Sequence, residues 1–267
     1  MSEHDDPSDL KTAHAMADAA RAAIAPYFRT VLDVDNKLTA GFDPVTAADR
    51  ASEQAMRDVL ASRVPTDGVL GEEFGQTDGH GRRRWVLDPI DGTRAFIAGL
   101  PTWTVLIALE VDGHPRIGLI DQPHIGERFV GWPGGAACHR AGDVRPLAVS
   151  RCDRLDQAIM ASTDPYLFEG AERRAFETVR EKVRLCRFGF DAYAYAMIAT
   201  GGVDLVIESG LQIYDVQALI PVVTGAGGVV TNWSGGDASA GGQVVAAATP
   251  ELLEQALRLL ADAAAVG

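Results

Sequence analysis

Residues 85–109 read WVLDPIDGTRAFIAGLPTWTVLIAL. The apolar run Trp85, Val86 and Leu87 predicts a buried strand that delivers Asp88 at its end. Pro89 lacks a backbone N–H and is expected to stop the ladder there. Gly92 lets the backbone turn tightly, and Thr93 begins a short helix through Phe96. Two carboxylates, Asp88 and Asp91, therefore stand beside the N–H groups of a helix start. Carboxylates bind hard cations, and helix starts bind anions such as phosphate. Both in one turn point to a metal-assisted phosphate site.

On the N-terminal side, residues 8–29 predict an amphipathic helix, with Leu10, Ala13, Ala17, Ala20 and Ile24 at helical spacing. Thr46 is read as the cap of a second helix through about Leu60. Val69 and Leu70 predict a short strand ending at Gly71, Glu72 and Glu73. On the C-terminal side, strands are expected at 102–111, 115–121 and 127–132. Asp112-Gly113 between the first two is a hairpin signal. The first half thus reads as helices followed by a meandering, partly antiparallel sheet. Near Ser150 the pattern changes. A strand at 158–161, a helix at 166–182, a strand at 183–188, a helix at 191–200 and a strand at 203–208 follow. Then come a helix at 214–226, strands at 228–232 and 243–247, and a last helix opened by Pro250. This alternation predicts an α/β layer. The whole of residues 1–267 is expected to form one unit. Its sub-halves would be 1–150 and 151–267, with the active site between them.

Composition narrows the function. The formal net charge of −13 argues against nucleic-acid or anionic-membrane binding, which need basic surface. It leaves a phosphorylated small molecule open, because divalent metals invert the local potential. Cys138, Cys152 and Cys186 are scattered without metal-ligand spacing, and a reduced, cytoplasmic setting is the simplest reading. The first ten residues, MSEHDDPSDL, are too acidic for a secretory signal, and no apolar run approaches a membrane span.

Other acids also sit at element ends. Asp43 and Asp49 flank Val45-Thr46, Glu72 and Glu73 follow Gly71, and Asp215 opens the helix from Tyr214. Taken singly, each has a plain reading as a cap or a solvated turn. Taken together with DPIDGT, they form a cluster whose mutual repulsion demands cations or protons. His4, His14, His80, His114, His124 and His139 are read as loop or terminal residues with no nucleophile beside them. Ser162-Thr163 lacks a G-x-S-x-G frame. The glycines at 225–228 read as a helix end, and Tyr193 and Tyr195 as packing.

DPVTAAD at 43–49, GEE at 71–73, WVLDPIDGT at 85–93 and YDVQALIPVVTGAGG at 214–228 occur in the order of the motifs of the inositol monophosphatase family, which the chain resembles over most of its length. Tyr214 stands where the family usually has Trp. The resemblance implies a layered α-β-α-β-α sandwich, a homodimer and a magnesium-dependent, lithium-sensitive phosphatase. It implies that Glu72, Asp88 and the Ile90 carbonyl hold one Mg2+, and Asp88, Asp91 and Asp215 a second. A third, weaker ion near Glu72 is also implied, and Mn2+ would substitute. The N–H groups of Gly92 and Thr93 would receive phosphate oxygens. A metal-bound water would attack phosphorus, and either Thr93 with Asp49, or Glu72, would activate it.

The ester is read from residues outside that core. Asp191 lies in RFGFDAYAY and Glu208 ends VDLVIE. If both face the pocket, they favour a cationic leaving group, although Asp191 also reads as a helix N-cap. TRAFIAGLPTWTVLIAL, STDPYLF, GFDAYAY and Tyr214-Asp215 together resemble the bacterial histidinol-phosphate phosphatase branch, implying L-histidinol phosphate. Inositol or sugar phosphates are the alternative, and a nucleotidase is a further one. Some members of the superfamily act through protein partners, including RNA polymerase in one bacterial branch.

Overall fold

The computed structural model describes residues 7–31, 34–36 and 44–264. Asp43 and His4, named above, lie outside them. Helices α1 (Pro7–Ile24) and α2 (Ala47–Arg63) come first, with a two-stranded ribbon, β1 (Val34–Asn36) and β2 (Pro44–Thr46), between them. The α2 start is the predicted one. Thr46 Oγ accepts from the Ala48 N–H at 3.1 Å, and Asp49 Oδ2 accepts from the Thr46 N–H at 2.8 Å, completing a capping box.

The first sheet holds β3 (Gly68–Gly71), β4 (Gly75–Thr77), β5 (Arg83–Asp91), β6 (Thr104–Val111), β7 (His114–Gln122), β8 (Glu127–Trp132), β9 (Gly135–Arg140) and β10 (Asp143–Pro146). Its order is β10-β9-β8-β7-β6-β5-β3-β4, antiparallel throughout except where β3 runs parallel to β5. Asp112 and Gly113 both have positive φ, 55° and 81°, so the β6–β7 hairpin closes on the primed turn that DG favours. The second sheet holds β11 (Ile159–Ser162), β12 (Leu185–Phe188), β13 (Leu205–Leu211), β14 (Val229–Asn232) and β15 (Gly242–Ala247), in the order β12-β11-β13-β15-β14.

Six more α-helices among the described residues complete the stack. They are α3 (Thr93–Ile97), α4 (Gly170–Arg180), α5 (Tyr193–Ala199), the pair α6 (Ile213–Val216) and α7 (Leu219–Gly225), and the last helix, α8 (Pro250–Leu260). Alternation along β5 and β6 sorts side chains into two cores. Trp85, Leu87, Val105 and Ile107 pack against α1 and α2, through Met16, Ala20 and Met56. Val86, Leu106 and Ala108 face the other way, onto Tyr195, Val216, Leu219 and Val222 of α5, α6 and α7. A third core joins the outer face of the second sheet to α4 and α8 through Phe168, Phe176, Leu252 and Ala256. The α-β-α-β-α layering expected from the resemblance is therefore the one observed.

Several boundaries differ from the sequence reading, each for a local reason. Helix α1 stops at Ile24, not residue 29, because Pro26 has no N–H for the Ala22 carbonyl. Helix α4 begins at Gly170 because Asp164 starts an Asx turn instead, its Oδ1 accepting from the Tyr166 N–H at 2.9 Å. The predicted single helix at 214–226 is two. Pro221 has no N–H for the Gln217 carbonyl, and its ring crowds that carbonyl, so α6 and α7 part at Gln217-Ala218. Strands β4, β9 and β10 had no reading. His14, His114 and His139 lie in α1, β7 and β9, not in loops, and among the described residues no helix is long and apolar enough to cross a membrane.

Candidate active site

Pro89 does not stop β5, which pairs with β6 as far as Asp91. Between Asp88, opposite Leu106, and Asp91, opposite Thr104, β5 carries one residue more than its partner. In a regular strand, residues 88 and 91 would face opposite sides of the sheet. The bulge shifts the parity by one and turns both carboxylates toward the middle layer. Pro89 is tolerated there because a bulged residue owes the ladder no donor. The Ser52 hydroxyl of α2 holds the Pro89 carbonyl at 3.3 Å.

Two neighbours complete the cluster. The parallel register sets Gly71 opposite Leu87, and the Glu72 N–H continues the pairing onto the Leu87 carbonyl at 3.2 Å, so Glu72 sits beside Asp88. Helix α6 brings Asp215, whose Oδ2 accepts from the Gln212 N–H at 2.7 Å. One carboxylate oxygen from each of Asp88, Asp91 and Asp215 lies within 4.8 Å of the others. Burial, and then the charge of Glu72, push the Asp88 carboxyl far above the ordinary carboxylate range. Burial, and then Asp191, do the same to Asp91. Three carboxylate oxygens this close are stable only with protons or a hard cation among them. The donor set fits magnesium or manganese and offers nothing to a soft metal.

The other expected residues fall as follows. Gly92 is left-handed, with a φ of 79°, and leads into α3, so the tight turn and short helix are as read. Thr93 Oγ donates to the Ile90 carbonyl at 3.1 Å, and the Ile90 N–H donates to Asp88 Oδ1 at 3.0 Å. Asp49 Oδ2 receives the Thr46 hydroxyl at 2.7 Å as well as its N–H, and burial lifts its pKa to about 6. Asp191 does not cap α5. Its φ is 48°, Ala192 is the N-cap residue, and the Ala192 N–H donates to Asp91 Oδ2 at 2.7 Å. The Asp191 carboxyl lies against Gly92, where an added Cβ would come within 3.0 Å of it.

A cavity of about 310 Å³ opens from this cluster. Asp91, Thr93, Asp191, Glu208 and Asp215 all reach its wall. Glu208 is buried; Oε1 accepts from the Thr163 N–H at 2.8 Å and hydroxyl at 2.5 Å, and Oε2 accepts from Tyr195 Oη at 3.2 Å. Burial lifts Glu208 to about 7. Burial also lifts Asp191, to about 6, against the opposing pull of Arg94. Tyr195 thus has a polar role beside its packing one, while Tyr193 Oη donates to Glu127 Oε2 at 2.6 Å. Sequence reasoning missed Arg94 and Thr163 as wall residues. Arg94 directly follows DPIDGT, which was the one available signal.

The sequence profile of the inositol monophosphatase family matches residues 6–265. The chain is 41% identical to the bifunctional phosphatase IMPL2, chloroplastic, of Arabidopsis thaliana, over 92% of this chain and 73% of that protein. It is 37% identical to the histidinol-phosphatase of Streptomyces coelicolor, over 85% and 87% of the two chains. A solved structure of an inositol monophosphatase from Zymomonas mobilis superposes with a TM-score of 0.84 at 42% identity, covering 95% of this chain and 98% of that one.

Proposed function

The chain belongs to the inositol monophosphatase family and is a metal-dependent phosphatase, and we propose that the phosphomonoester it takes is L-histidinol phosphate. The observation that carries this reading is the presence of Asp191 and Glu208 on the wall of the cavity that Asp91 and Asp215 close. A leaving group with an ammonium finds two carboxylates there, and charge-assisted hydrogen bonds are the strong ones. The Streptomyces coelicolor relative, named histidinol-phosphatase, supports the same direction.

In this reading Glu72, Asp88, the Ile90 carbonyl, Asp91 and Asp215 hold two or three magnesium ions. Magnesium bound there would supply Lewis acidity toward the phosphate oxygens and toward water. The Ile90 carbonyl has a second lone pair, so it keeps the Thr93 hydroxyl while facing a cation. The Gly92 and Thr93 N–H groups orient the phosphate. Thr93 with Asp49, or Glu72, holds the attacking water in line. Inhibition by lithium at fixed magnesium, and a dimer mass in solution, would extend the family's habits to this chain.

A second reading, inositol 1-phosphate or a range of sugar phosphates, has its own support. Arg94 offsets part of the charge of Asp191, and Glu208 already accepts bonds from Thr163 and Tyr195. Both features lower the pocket's demand for a cation. The Zymomonas mobilis structure is titled an inositol monophosphatase.

Specificity constants on both esters, for the wild type and Asp191→Asn, separate the two. The first reading expects histidinol phosphate to be preferred, and Asp191→Asn to erode that preference about ten- to a hundredfold. That is the worth of one charged hydrogen bond at roughly 1.5–3 kcal/mol. Preference for inositol 1-phosphate in the wild type, or an equal loss on all esters in the variant, would install the second reading.

A further inference from the structure

Glu53 is a fully buried acid outside the Asp88, Asp91 and Asp215 cluster. It lies on α2, at 0% exposure, and no motif marks it. Its Oε2 accepts from the Glu73 N–H at 2.7 Å. Its Oε1 accepts from the Phe74 N–H at 3.2 Å and from Arg57 Nε at 2.8 Å. One helix turn on, Arg57 reaches the far side of the same β-hairpin. It donates to the Gly75 carbonyl at 2.5 Å and to Thr77 Oγ at 3.0 Å, and lies over the Phe74 ring at 5.9 Å. Together, Glu53 and Arg57 hold the backbone of residues 73, 74 and 75, immediately after Glu72.

Gly71 belongs to the same device. A Cβ there would fall 1.9 Å from Glu53 Oε1 and 2.3 Å from its carboxyl carbon. Its φ is not positive, so room for the carboxylate, not backbone freedom, explains the glycine. The carboxylate is thereby seated between the end of β3 and the turn that follows. Its oxygens face the Glu73 and Phe74 N–H groups and Arg57, and Glu53 is not one of the acids whose oxygens converge, which are Asp88, Asp91 and Asp215.

We propose that Glu53 is a positioning residue for the metal site, setting the Glu72 carboxylate through the backbone of the 72–75 turn. This rests on the reading that Glu72 holds a cation. Without the Glu53 carboxylate, the Glu73 and Phe74 N–H groups lose their acceptor and the turn is released from α2. The Asp88, Asp91 and Asp215 oxygens, held on β5 and α6, keep their places. The effect is therefore confined to the ion that Glu72 holds. Groups one step behind metal ligands typically contribute about 10- to 100-fold in metal affinity.

The test is a double-mutant cycle read by Mn2+ binding, with calorimetry and electron paramagnetic resonance on the full chain. Its members are the wild type, Glu53→Gln, Glu72→Gln and the double variant. Melting curves in chelator confirm that each is folded. Glu53→Gln should weaken one Mn2+ site about 10- to 100-fold and leave the other unchanged. Glu72→Gln should weaken the same site, and the double variant should bind no worse than Glu72→Gln alone. Gly71→Ala displaces the same carboxylate by a different route and carries the test if Glu53→Gln does not fold. If Glu53→Gln binds Mn2+ as the wild type does while Glu72→Gln loses a site, the proposal is overturned and the Glu72 assignment stands. If Glu72→Gln also binds as the wild type does, the Glu72 assignment falls and takes the proposal with it.

Discussion

Gly92 connects two requirements at one atom. Its φ of 79° is a left-handed conformation, which costs a residue with a Cβ about 1–2 kcal/mol. That Cβ would also press on Asp191 at 3.0 Å. Gly92→Ala should therefore lower stability in urea by more than the backbone cost alone and reduce turnover on every ester. Asp191→Ala in the same chain should recover the contact part and leave the backbone part, a coupling of roughly 0.5–3 kcal/mol. Strict additivity of the two changes would mean that the Gly92–Asp191 contact is loose. At this scale the acids of the cluster were legible, because DPIDGT, GEE and Asp215 are written in short ordered motifs. The partners that set their geometry were not. Glu53 and Arg57 read as ordinary helix charges at i and i+4, and their role depends on which loop lies across α2. Asp191 read equally well as a helix cap, and only its φ of 48° excludes that.

Helices α6 and α7 carry Asp215 and rest directly on the first sheet. The approach is close because β7 and β8 present glycines. A Cβ on Gly118 would lie 2.0 Å from the Ala218 carbonyl oxygen, and one on Gly131 would lie 2.1 Å from that of Pro221. Neither obstacle is a flexible side chain, so the helices must move. Gly131→Ala should cost about 1–3 kcal/mol or more of stability by overpacking. It should also weaken metal binding, by lifting the element that delivers Asp215. Gly81→Ala, in open space with an ordinary φ, is the matched control and should change neither. Unchanged urea unfolding in Gly131→Ala would mean that the helices slide freely over the sheet. The element reading succeeded where pattern was strong, as at the Thr46 cap and the Asp112-Gly113 hairpin. It failed at β10, whose four residues are all exposed and carry no period. It failed again at the Asp88–Asp91 bulge, since a register shift leaves no mark on one strand alone. The break before Pro221 is readable in the sequence, since a proline has no N–H for the Gln217 carbonyl.

Across the whole molecule, one buried and two half-buried carboxylates are gathered by β5 and α6, elements far apart in the chain, in a protein of net charge −13. The two-layer grouping of strands 68–146 and 159–247 followed from the change of pattern near Ser150. The order of strands within each sheet could not, since it rests on pairings between distant segments. Gathering these acids works against folding and for cation binding. Two ionised oxygens 4.8 Å apart repel by roughly 3 kcal/mol at an effective dielectric constant near 20, before protons relieve them. Asp88→Asn removes one of those charges while its Oδ1 still accepts from the Ile90 N–H. In chelator, the variant should therefore melt several degrees above the wild type. Magnesium reverses the ranking. A ligand at a hundred times its dissociation constant adds about 2.7 kcal/mol to the folded state. The wild-type melting temperature should climb with magnesium concentration, and that of Asp88→Asn should stay nearly flat and pass below it. Turnover in the variant should be nearly abolished over the whole titration. A parallel rise of both melting curves with magnesium would place the stabilising ion elsewhere. A variant less stable than the wild type in chelator would mean that Asp88 contributes to folding more than its charge costs.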